Sequence, residues 1–171
     1  MSDAKTLLET RKFKVVRETV RSTGGKEKTR EIVRHPGACV IVPLLDDGRV
    51  CLIRNFRIAA GQTLIELPAG TLEPPEPPQV TAERELIEET GYRAAKIEFL
   101  HAFYLSPGIL DEKMHLYLAT GLTPGETALE EGEEIENWLV HFDEAVAMIF
   151  RGEIRDAKTI VGLLWVDRLR P

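Results

Sequence analysis

The sequence predicts an α/β protein in which helices cover a mixed β-sheet. Two apolar runs of strand length, residues 37–45 and 49–57, stand on either side of an Asp-Asp-Gly turn. A helix-forming stretch follows at residues 79–90, and Asp143 and Asp156 precede two further helical stretches in the position of N-caps. Strands and helices that alternate along the chain in this way are typical of α/β domains.

The first 36 residues predict a small β-hairpin that is appended to the main domain. Residues 12–21 alternate between polar and apolar side chains, residues 23–25 (Thr-Gly-Gly) supply a turn, and residues 29–34 supply the returning strand. The main domain then comprises residues 37–171.

The main domain is predicted to continue with further strands around one helix and a stiff loop. The Asp47-Gly48 step between the first two apolar runs predicts a β-hairpin. Five prolines lie in residues 68–78, so this loop has little conformational freedom. Further strands are predicted at residues 64–67, 95–105, 113–120 and 134–140.

Composition and charge exclude several classes of function. Hydrophobic residues make up 43% and charged residues 29% of the 171 residues, which is ordinary for a globular domain. The net charge of −6 argues against a nucleic-acid-binding protein, which would need a basic face. There is no apolar run of bilayer length and no signal-peptide core, so we expect a cytoplasmic protein without a membrane partner. Cys39 and Cys51 lie in apolar runs and are expected to be buried, reduced thiols.

Three glutamates of the predicted helix point to a metal site. At 100° per residue, Glu85, Glu88 and Glu89 lie within about 100° of one another. Val80 and Ile87 are predicted to point the opposite way, toward a core. Like charges on one helix face repel each other, and a hard divalent cation such as Mg²⁺ would relieve the repulsion by binding carboxylate oxygens. The alternative is an acidic helix face that is merely solvated.

The residues around these glutamates favour the metal site. The segment GTLEPPEPPQVTAERELIEETGY fits the pattern G-x5-E-x7-R-E-U-x-E-E-x-G-U, where U is aliphatic. The fixed positions are Gly70, Glu76, Arg84, Glu85, Glu88, Glu89 and Gly91. This box resembles the signature of the Nudix hydrolases, which cleave nucleoside diphosphates linked to another moiety. Tyr92 replaces an aliphatic residue and Pro75 replaces a frequent glycine, but neither change removes a metal ligand.

The resemblance implies a Nudix fold, an α/β/α sandwich around a mixed β-sheet, and it gives the box residues roles. Glu85 and Glu89 would bind Mg²⁺, for which Mn²⁺ could substitute, and Glu88 would be a further ligand or the general base. The carbonyl group of Ala69 would complete the metal site. Arg84 can reach Glu88 one turn along the helix, or Glu76 in the preceding loop, and hold an acid in place.

The flanks of the box resemble the ADP-ribose pyrophosphatase branch of the Nudix family. The strings that carry this resemblance are NFRIAA (residues 55–60), IELPAG (65–70) and SPGILDE (106–112). It implies that Arg57, Glu66 and Pro107 belong to the substrate site and that residues 106–112 form a flexible catalytic loop. Glu112 on this loop would be the general base, with Asp111 and Glu88 as competitors.

The same branch implies a substrate and an assembly. The reaction would be the hydrolysis of ADP-ribose, a small nucleoside diphosphate sugar, to AMP and ribose 5-phosphate. In this branch the N-terminal hairpin often crosses to a partner subunit and helps to build the adenosine pocket. We therefore expect a homodimer with the hairpin as its arm, and Arg30 and Phe13 are the candidate substrate residues of that hairpin.

Two alternatives stay open at this point. Another nucleoside diphosphate derivative or a dinucleotide fits the same box, because the loops that select the sugar cannot be placed from the sequence. A catalytically silent module that binds ADP-ribose is less consistent, since it predicts a damaged box and every charged position here is intact. The four histidines, at positions 35, 101, 115 and 141, show no metal-ligand spacing and receive no role.

Overall fold

The computed structural model describes residues 4–129 and 134–170, and ten strands, three α-helices and one short 3-10 helix (Ile58–Ala60) occur in that part of the chain. The strands are β1 (Ala4–Glu9), β2 (Lys14–Arg21), β3 (Glu27–Arg34), β4 (Ala38–Pro43), β5 (Arg49–Arg57), β6 (Gln62–Glu66), β7 (Ala69–Thr71), β8 (Arg93–Tyr104), β9 (Lys113–Thr123) and β10 (Ile135–His141). The helices are α1 (Pro78–Thr90), α2 (Phe142–Phe150) and α3 (Ala157–Leu169).

The N-terminal extension is a three-stranded antiparallel sheet of β1, β2 and β3. The predicted hairpin corresponds to β2 and β3, which pair along their whole length. β1 is an additional strand that the sequence did not predict. Its adjacent residues Leu7 and Leu8 break the polar–apolar alternation, and the register of its pairing with β2 shifts between Thr6 and Leu8. A bulge of this kind removes the period-two pattern by which a strand is found in a sequence.

The main domain contains two sheets, and the larger one is the mixed sheet that the sequence predicts. Its strand order is β7-β4-β9-β8, with β4 and β9 parallel and the other neighbours antiparallel. The second sheet, β10-β5-β6, is antiparallel. β4 and β5 share a single bridge, Leu44 with Val50, within the described residues, so the hairpin predicted at Asp47-Gly48 does not continue. β7 and β9 occupy both edges of β4, which leaves no edge for β5.

The alternation of side chains along β4 places the mixed sheet between two layers of helix. Val40 and Val42 belong to the apolar cluster that includes residues of α2 and α3. Ile41 belongs to the opposite cluster, together with Ala82 and Leu86 of α1. Because successive side chains of a strand point to opposite faces, α1 and α3 cover the two faces of the sheet. The predicted α/β/α sandwich is confirmed.

α1 begins one residue before the predicted start and ends at the predicted residue. Gly91 follows it in the left-handed conformation with φ 75°, as expected of a residue that terminates a helix. The predicted orientation of the helix is wrong, because Val80 is 46% exposed whereas Ala82 and Leu86 are buried. The glutamate face of α1 therefore lies beside its core face, so that the carboxylates of Glu85 and Glu89 lie against β7.

α2 and α3 differ in how their N-termini are capped. Asp156 is the predicted N-cap of α3, and its carboxylate accepts a hydrogen bond from the Thr159 N–H group at 3.0 Å. The prediction for α2 is wrong, because its N-cap is His141 and Asp143 lies inside the first turn. The Asp143 carboxylate instead pairs with Arg170 near the C-terminus. None of the helices in the described part of the chain has the length and apolarity needed to span a membrane.

Candidate active site

A cavity of about 740 Å³ lies between the N-terminal sheet and α1. One wall is the turn between β1 and β2, residues 10–14, together with residues 34–36. The other wall comprises Asn55 and Arg57 of β5, residues 69–74, and the α1 side chains of Arg84, Glu85, Glu88 and Glu89. The structure thus brings the box and the residues before it to one cavity.

Gly70 allows α1 to lie against β7. A Cβ atom added to Gly70 would lie 1.9 Å from the carboxyl carbon of Glu85. Two non-bonded carbon atoms cannot approach so closely, so any side chain at this position would clash with Glu85. Gly70 is paired with Cys39 inside the short strand β7, so its backbone cannot simply move away. Space for the Glu85 carboxylate is therefore the physical reason for the glycine at this position.

Glu89 joins α1 to β7 on the same side. Its Oε2 atom accepts a hydrogen bond from the Ala69 N–H group at 2.8 Å, and the residue is 5% exposed. The carboxylate that the sequence assigned to the metal is therefore buried beside Ala69, the residue whose carbonyl was expected to complete the site.

Arg84 neutralises the acidic face of α1 from one side. A single guanidinium nitrogen, Nη1, lies 2.8 Å from Glu85 Oε1 and 2.9 Å from Glu88 Oε2. The Nη2 atom lies 3.5 Å from Oε2 of Glu76, which also accepts a hydrogen bond from Thr81. Both contacts that the sequence allowed for Arg84 are formed, and the surrounding carboxylates raise the pKa of Arg84 despite the opposing effect of burial.

The donor set fits a hard divalent cation. Glu85, Glu88, Glu89 and the carbonyl of Ala69 offer oxygen atoms, and the absence of a side chain at Gly70 lets the Glu85 carboxylate lie close to β7. Within the described residues no three acidic, histidine or cysteine side chains converge on one point. The bridging nitrogen of Arg84 holds Glu85 and Glu88 instead, so a bound cation would replace Arg84 as the counter-charge of at least one of them.

Arg57 enters the cavity from the end of β5 and is held by a buried carboxylate. Its Nε and Nη2 atoms donate to the two oxygens of Glu66 at 2.8 and 2.6 Å. Glu66 is fully buried and does not line the cavity. Burial alone would raise the pKa of Glu66, but the hydrogen bonds and charges of Arg57 and Lys158 hold it below its ordinary value. Glu66 therefore fixes Arg57 instead of facing the solvent itself.

Lys158 is a member of this network that the sequence did not reveal. Its Nζ atom lies 2.5 Å from Glu66 Oε2 and 3.0 Å from Asp156 Oδ2, and the residue is almost completely buried. Thr159 next to it accepts a hydrogen bond from the Leu67 N–H group at 2.8 Å. A lysine at the start of a helix is usually solvated. The one feature of the sequence that could have indicated a paired Lys158 was its position two residues after the N-cap Asp156.

Residues 106–112, the predicted catalytic loop, are tied to the end of β3. The Asp111 carboxylate accepts hydrogen bonds from Arg34 Nη1 and from the His35 N–H group, both at 2.8 Å. Burial would raise the pKa of Asp111, but these two donors hold it below its ordinary value. The backbone of Val33 also bonds to Ile109 and Asp111. The Asp111 carboxylate thereby ties the loop to β3, and both of its oxygens already accept hydrogen bonds.

The structure separates the two remaining candidates for the general base. Glu88 lines the cavity. The Glu112 side chain is 17% exposed and does not line it, but its Oε1 atom lies 3.8 Å from Nδ1 of His35, which does. His35 was assigned no role from the sequence, because the four histidines show no metal-ligand spacing.

The remaining predicted substrate residues lie at different places. Phe13 lines the cavity and is 37% exposed. Arg30 lies on β3, is exposed, and donates to the Thr29 carbonyl group, away from the cavity of its own chain. Pro107 is exposed in the 106–112 loop and does not line the cavity. The assignments of Arg30 and Pro107 stay predictions.

The chain matches the NUDIX domain over residues 33–162, which is most of its length. It therefore belongs to the NUDIX domain family, and the class of enzyme that the fold and the box define is a Nudix pyrophosphohydrolase. Members of this class generally need divalent metal ions.

Curated relatives resemble nearly the whole chain. An ADP-ribose pyrophosphatase from Bacillus subtilis (strain 168) is 40% identical over 88% of this chain and 82% of its own length. The ADP-ribose pyrophosphatase of Mycobacterium tuberculosis (strain ATCC 25618 / H37Rv) is also 40% identical, over 90% of this chain and 76% of its own length. A methanol dehydrogenase activator from Bacillus methanolicus is 38% identical over 88% and 82%.

A solved structure supports the fold independently. The crystal structure of an ADP compounds hydrolase superposes with a TM-score of 0.85 over 98% of this chain and 91% of that chain, at 22% identity. The predicted Nudix fold is confirmed by this similarity.

Proposed function

We propose that the protein hydrolyses the diphosphate bond of ADP-ribose, or of a related nucleoside diphosphate sugar, with Mg²⁺ or Mn²⁺ as cofactor. Water is consumed, and the products from ADP-ribose are AMP and ribose 5-phosphate. The observation that carries the proposal is the single cavity of about 740 Å³ that holds the α1 carboxylates and Arg57. This volume suits a small-molecule ligand of nucleotide size. Similarity to two ADP-ribose pyrophosphatases supports the choice of substrate.

Arg57 binds the diphosphate in this proposal. Glu66 occupies the N–H groups of Nε and one on Nη2, which leaves the Nη1 group and the second N–H of Nη2 for phosphate oxygens. A guanidinium fixed in this way loses little conformational freedom when it binds the substrate.

The box residues hold the cations. Glu85, Glu88, Glu89 and the Ala69 carbonyl group are the proposed ligands, and Gly70 keeps the Glu85 carboxylate close to β7. Bound divalent ions in such sites neutralise phosphate charge and lower the pKa of water. Arg84 contacts both Glu85 and Glu88, and it limits the repulsion between them until a cation takes its place beside at least one of them.

The proton of the attacking water goes to a carboxylate, for which Glu112 and Glu88 are the two candidates. Glu88 already lines the cavity. Glu112 would need a shift of its side chain past His35, and its position on a loop allows such a shift on substrate binding. Separate substitutions of the two residues distinguish them.

We further propose that the N-terminal sheet mediates a homodimer. Among the residues of β1, β2 and β3, Val16 alone is buried, whereas Leu7, Leu8 and Val20 are exposed by 42 to 52%. A three-stranded sheet that covers so little apolar surface gains little stability by itself, so a partner subunit is expected to cover it. Light scattering at micromolar concentration tests this. A monomer at all concentrations would contradict it.

A phosphate-release screen tests the proposed reaction. The purified protein is incubated with ADP-ribose, GDP-mannose and a dinucleotide in Mg²⁺ or Mn²⁺, a phosphatase is added, and inorganic phosphate is measured. ADP-ribose is expected to be turned over fastest, with AMP and ribose 5-phosphate identified by mass spectrometry. If ADP-ribose is inert while another diphosphate is hydrolysed, the substrate is wrong and the class stands. If no diphosphate is hydrolysed, the alternative of a silent binding module is favoured.

A further inference from the structure

The turn between β1 and β2, residues 10–14, forms a well-defined part of the cavity wall. The Thr10 hydroxyl group donates to the Phe13 carbonyl group at 2.8 Å and accepts from the Phe13 N–H group at 3.0 Å. The Thr10 N–H group also bonds to the Phe13 carbonyl oxygen at 2.9 Å. These bonds close the turn on itself and fix the backbone from which Arg11 and Lys12 project.

Four cationic side chains lie on this wall, and two of them are already neutralised. Lys14 pairs with Glu9 at 2.7 Å, and Arg34 pairs with Glu18 and Asp111. Arg11 and Lys12 line the cavity, and none of the carboxylates in residues 4–129 and 134–170 forms an ion pair with either of them.

The proposed reaction does not use these two charges. The carboxylates that line the cavity, apart from Glu73 before the prolines, all belong to α1, and bound divalent ions would neutralise them. The ions and Arg57 would then balance the charge of the diphosphate. Arg11 and Lys12 then add two positive charges that the diphosphate does not neutralise. The turn can therefore attract a second anionic group of the substrate.

Phe13 indicates which end of the substrate lies at the turn. It is the single phenylalanine, tyrosine or tryptophan among the described residues that line the cavity, and its partly exposed ring offers a face for a nucleobase. A base stacked on Phe13 would bring the attached ribose next to Arg11 and Lys12, which precede Phe13 in the same turn.

We propose that the β1–β2 turn is a subsite for a phosphate group on the nucleoside ribose, so that the enzyme prefers a nucleoside diphosphate substrate with a 2′- or 3′-phosphate. This inference rests on the proposed function for the orientation of the substrate. The diphosphate is the bond that is cleaved, and the ribose phosphate is bound by Arg11 and Lys12 without being transferred.

The first test compares two substrates in matched variants. We measure kcat/KM for ADP-ribose and for ADP-ribose carrying a 2′-phosphate on its adenosine, in the wild type and in Arg11→Gln/Lys12→Gln. The ratio of phosphorylated to plain substrate is expected to fall by about tenfold or more in the variant, because two charge-assisted hydrogen bonds are lost. Lys26→Gln/Lys28→Gln removes the same charge from the far end of the N-terminal sheet, outside the cavity lining, and is expected to preserve the ratio.

The second test does not depend on hydrolysis. Calorimetry measures the binding of AMP, adenosine 2′,5′-bisphosphate and adenosine 3′,5′-bisphosphate to the same three proteins. At least one bisphosphate is expected to bind the wild type about tenfold more tightly than AMP, and Arg11→Gln/Lys12→Gln is expected to abolish this difference. If neither bisphosphate binds more tightly than AMP, or if the control variant loses the preference equally, the subsite is refuted. If ADP-ribose is not hydrolysed while a bisphosphate is preferred, the proposed function fails and the subsite stands.

Discussion

Lys158 and Glu66 form a buried ion pair, with 2.5 Å between Nζ and Oε2, that connects α3 to the strand before the Nudix box. The same carboxylate binds Arg57 through both of its oxygens. α3 is thus linked to the cavity through Glu66, which contacts Arg57 but does not itself line the cavity.

This relationship predicts that Lys158 is a positioning residue for Arg57. Lys158→Met removes one of the two cations that hold Glu66, and kcat/KM for the substrate is expected to fall by about tenfold. In an Arg57→Gln background the same substitution is expected to have little further effect, because Arg57 is the residue through which Lys158 acts. Steady-state kinetics of the two single variants and the double variant measure this coupling, with Lys158→Arg as the conservative variant that should recover activity. Additive losses would mean that Lys158 is merely structural.

Glu66 is expected to stabilise the fold in a pH-dependent manner. Because its pKa is lowered in the folded protein, its stabilisation is present above its ordinary value of 4.5 and is lost as the pH falls through the lowered pKa. Glu66→Gln should therefore lower the free energy of unfolding by about 3–5 kcal/mol at pH 7, since it breaks a buried ion pair. The difference from the wild type should shrink as the pH falls from 7 through this lowered pKa. Urea unfolding over a series of acidic pH values measures it. Glu31→Gln, which breaks an exposed pair with Arg17, should cost about 0–1 kcal/mol.

Gly70→Ala is expected to inactivate the enzyme through Glu85. The added methyl group would collide with the carboxylate of Glu85, a proposed metal ligand, which must then leave its position. We expect activity to fall by at least about a hundredfold, with a loss of roughly 1–3 kcal/mol in stability from overpacking. Gly24→Ala is the matched control, because no atom lies within 4 Å of its added Cβ and activity should be preserved. An active Gly70→Ala variant would mean that Glu85 does not need this position.

Glu89→Gln is expected to weaken cation binding. Loss of one proposed ligand charge should reduce kcat by about a hundredfold, and it should remove the increase in melting temperature that we expect Mg²⁺ to give the wild type. Glu83→Gln on the same helix is the control, because Glu83 is exposed and does not line the cavity. An unchanged Mg²⁺ effect in Glu89→Gln would exclude Glu89 from the metal site.

Separate substitutions decide between the two candidate bases. If Glu112 is the base, Glu112→Gln lowers kcat by about 10²–10⁴-fold with little change in KM, and the acidic limb of the pH–rate profile is lost. A loss smaller than about tenfold would transfer the role to Glu88. Glu88→Gln is measured in parallel, with the Mg²⁺-dependent shift in melting temperature as the readout that separates a base from a metal ligand.

Much of the site could be predicted from the sequence because several of its residues lie on consecutive turns of one helix. The positions of Glu85, Glu88 and Glu89 follow from helical geometry once α1 is located, and the contact of Arg84 with Glu88 follows from the same spacing. β5 was located to the residue, since its apolar run is bounded by a turn and by charged residues.

The features that were missed depend on contacts between distant segments. The burial of Lys158 depends on Glu66, 92 residues earlier in the chain. The core face of α1 could not be identified from apolar residues alone, because the carboxylate of Glu89 lies on the buried side and Val80 does not. β7 has three residues after a proline and is a strand only because β4 offers it an edge. His35 and Arg11 enter the cavity through the placement of the N-terminal sheet, which no local pattern encodes.

The hydrogen bonds that Asp111 accepts from Arg34 and His35 limit which parts of the sequence can change independently during evolution. They link positions 76 and 77 residues apart, so the end of β3 and the end of the 106–112 loop are one unit that must change together. Insertions that alter substrate choice would be tolerated at the exposed residues 106–108, upstream of this anchor. A chain shortened by removal of the N-terminal sheet would keep the proposed metal ligands and yet release the loop that carries Glu112.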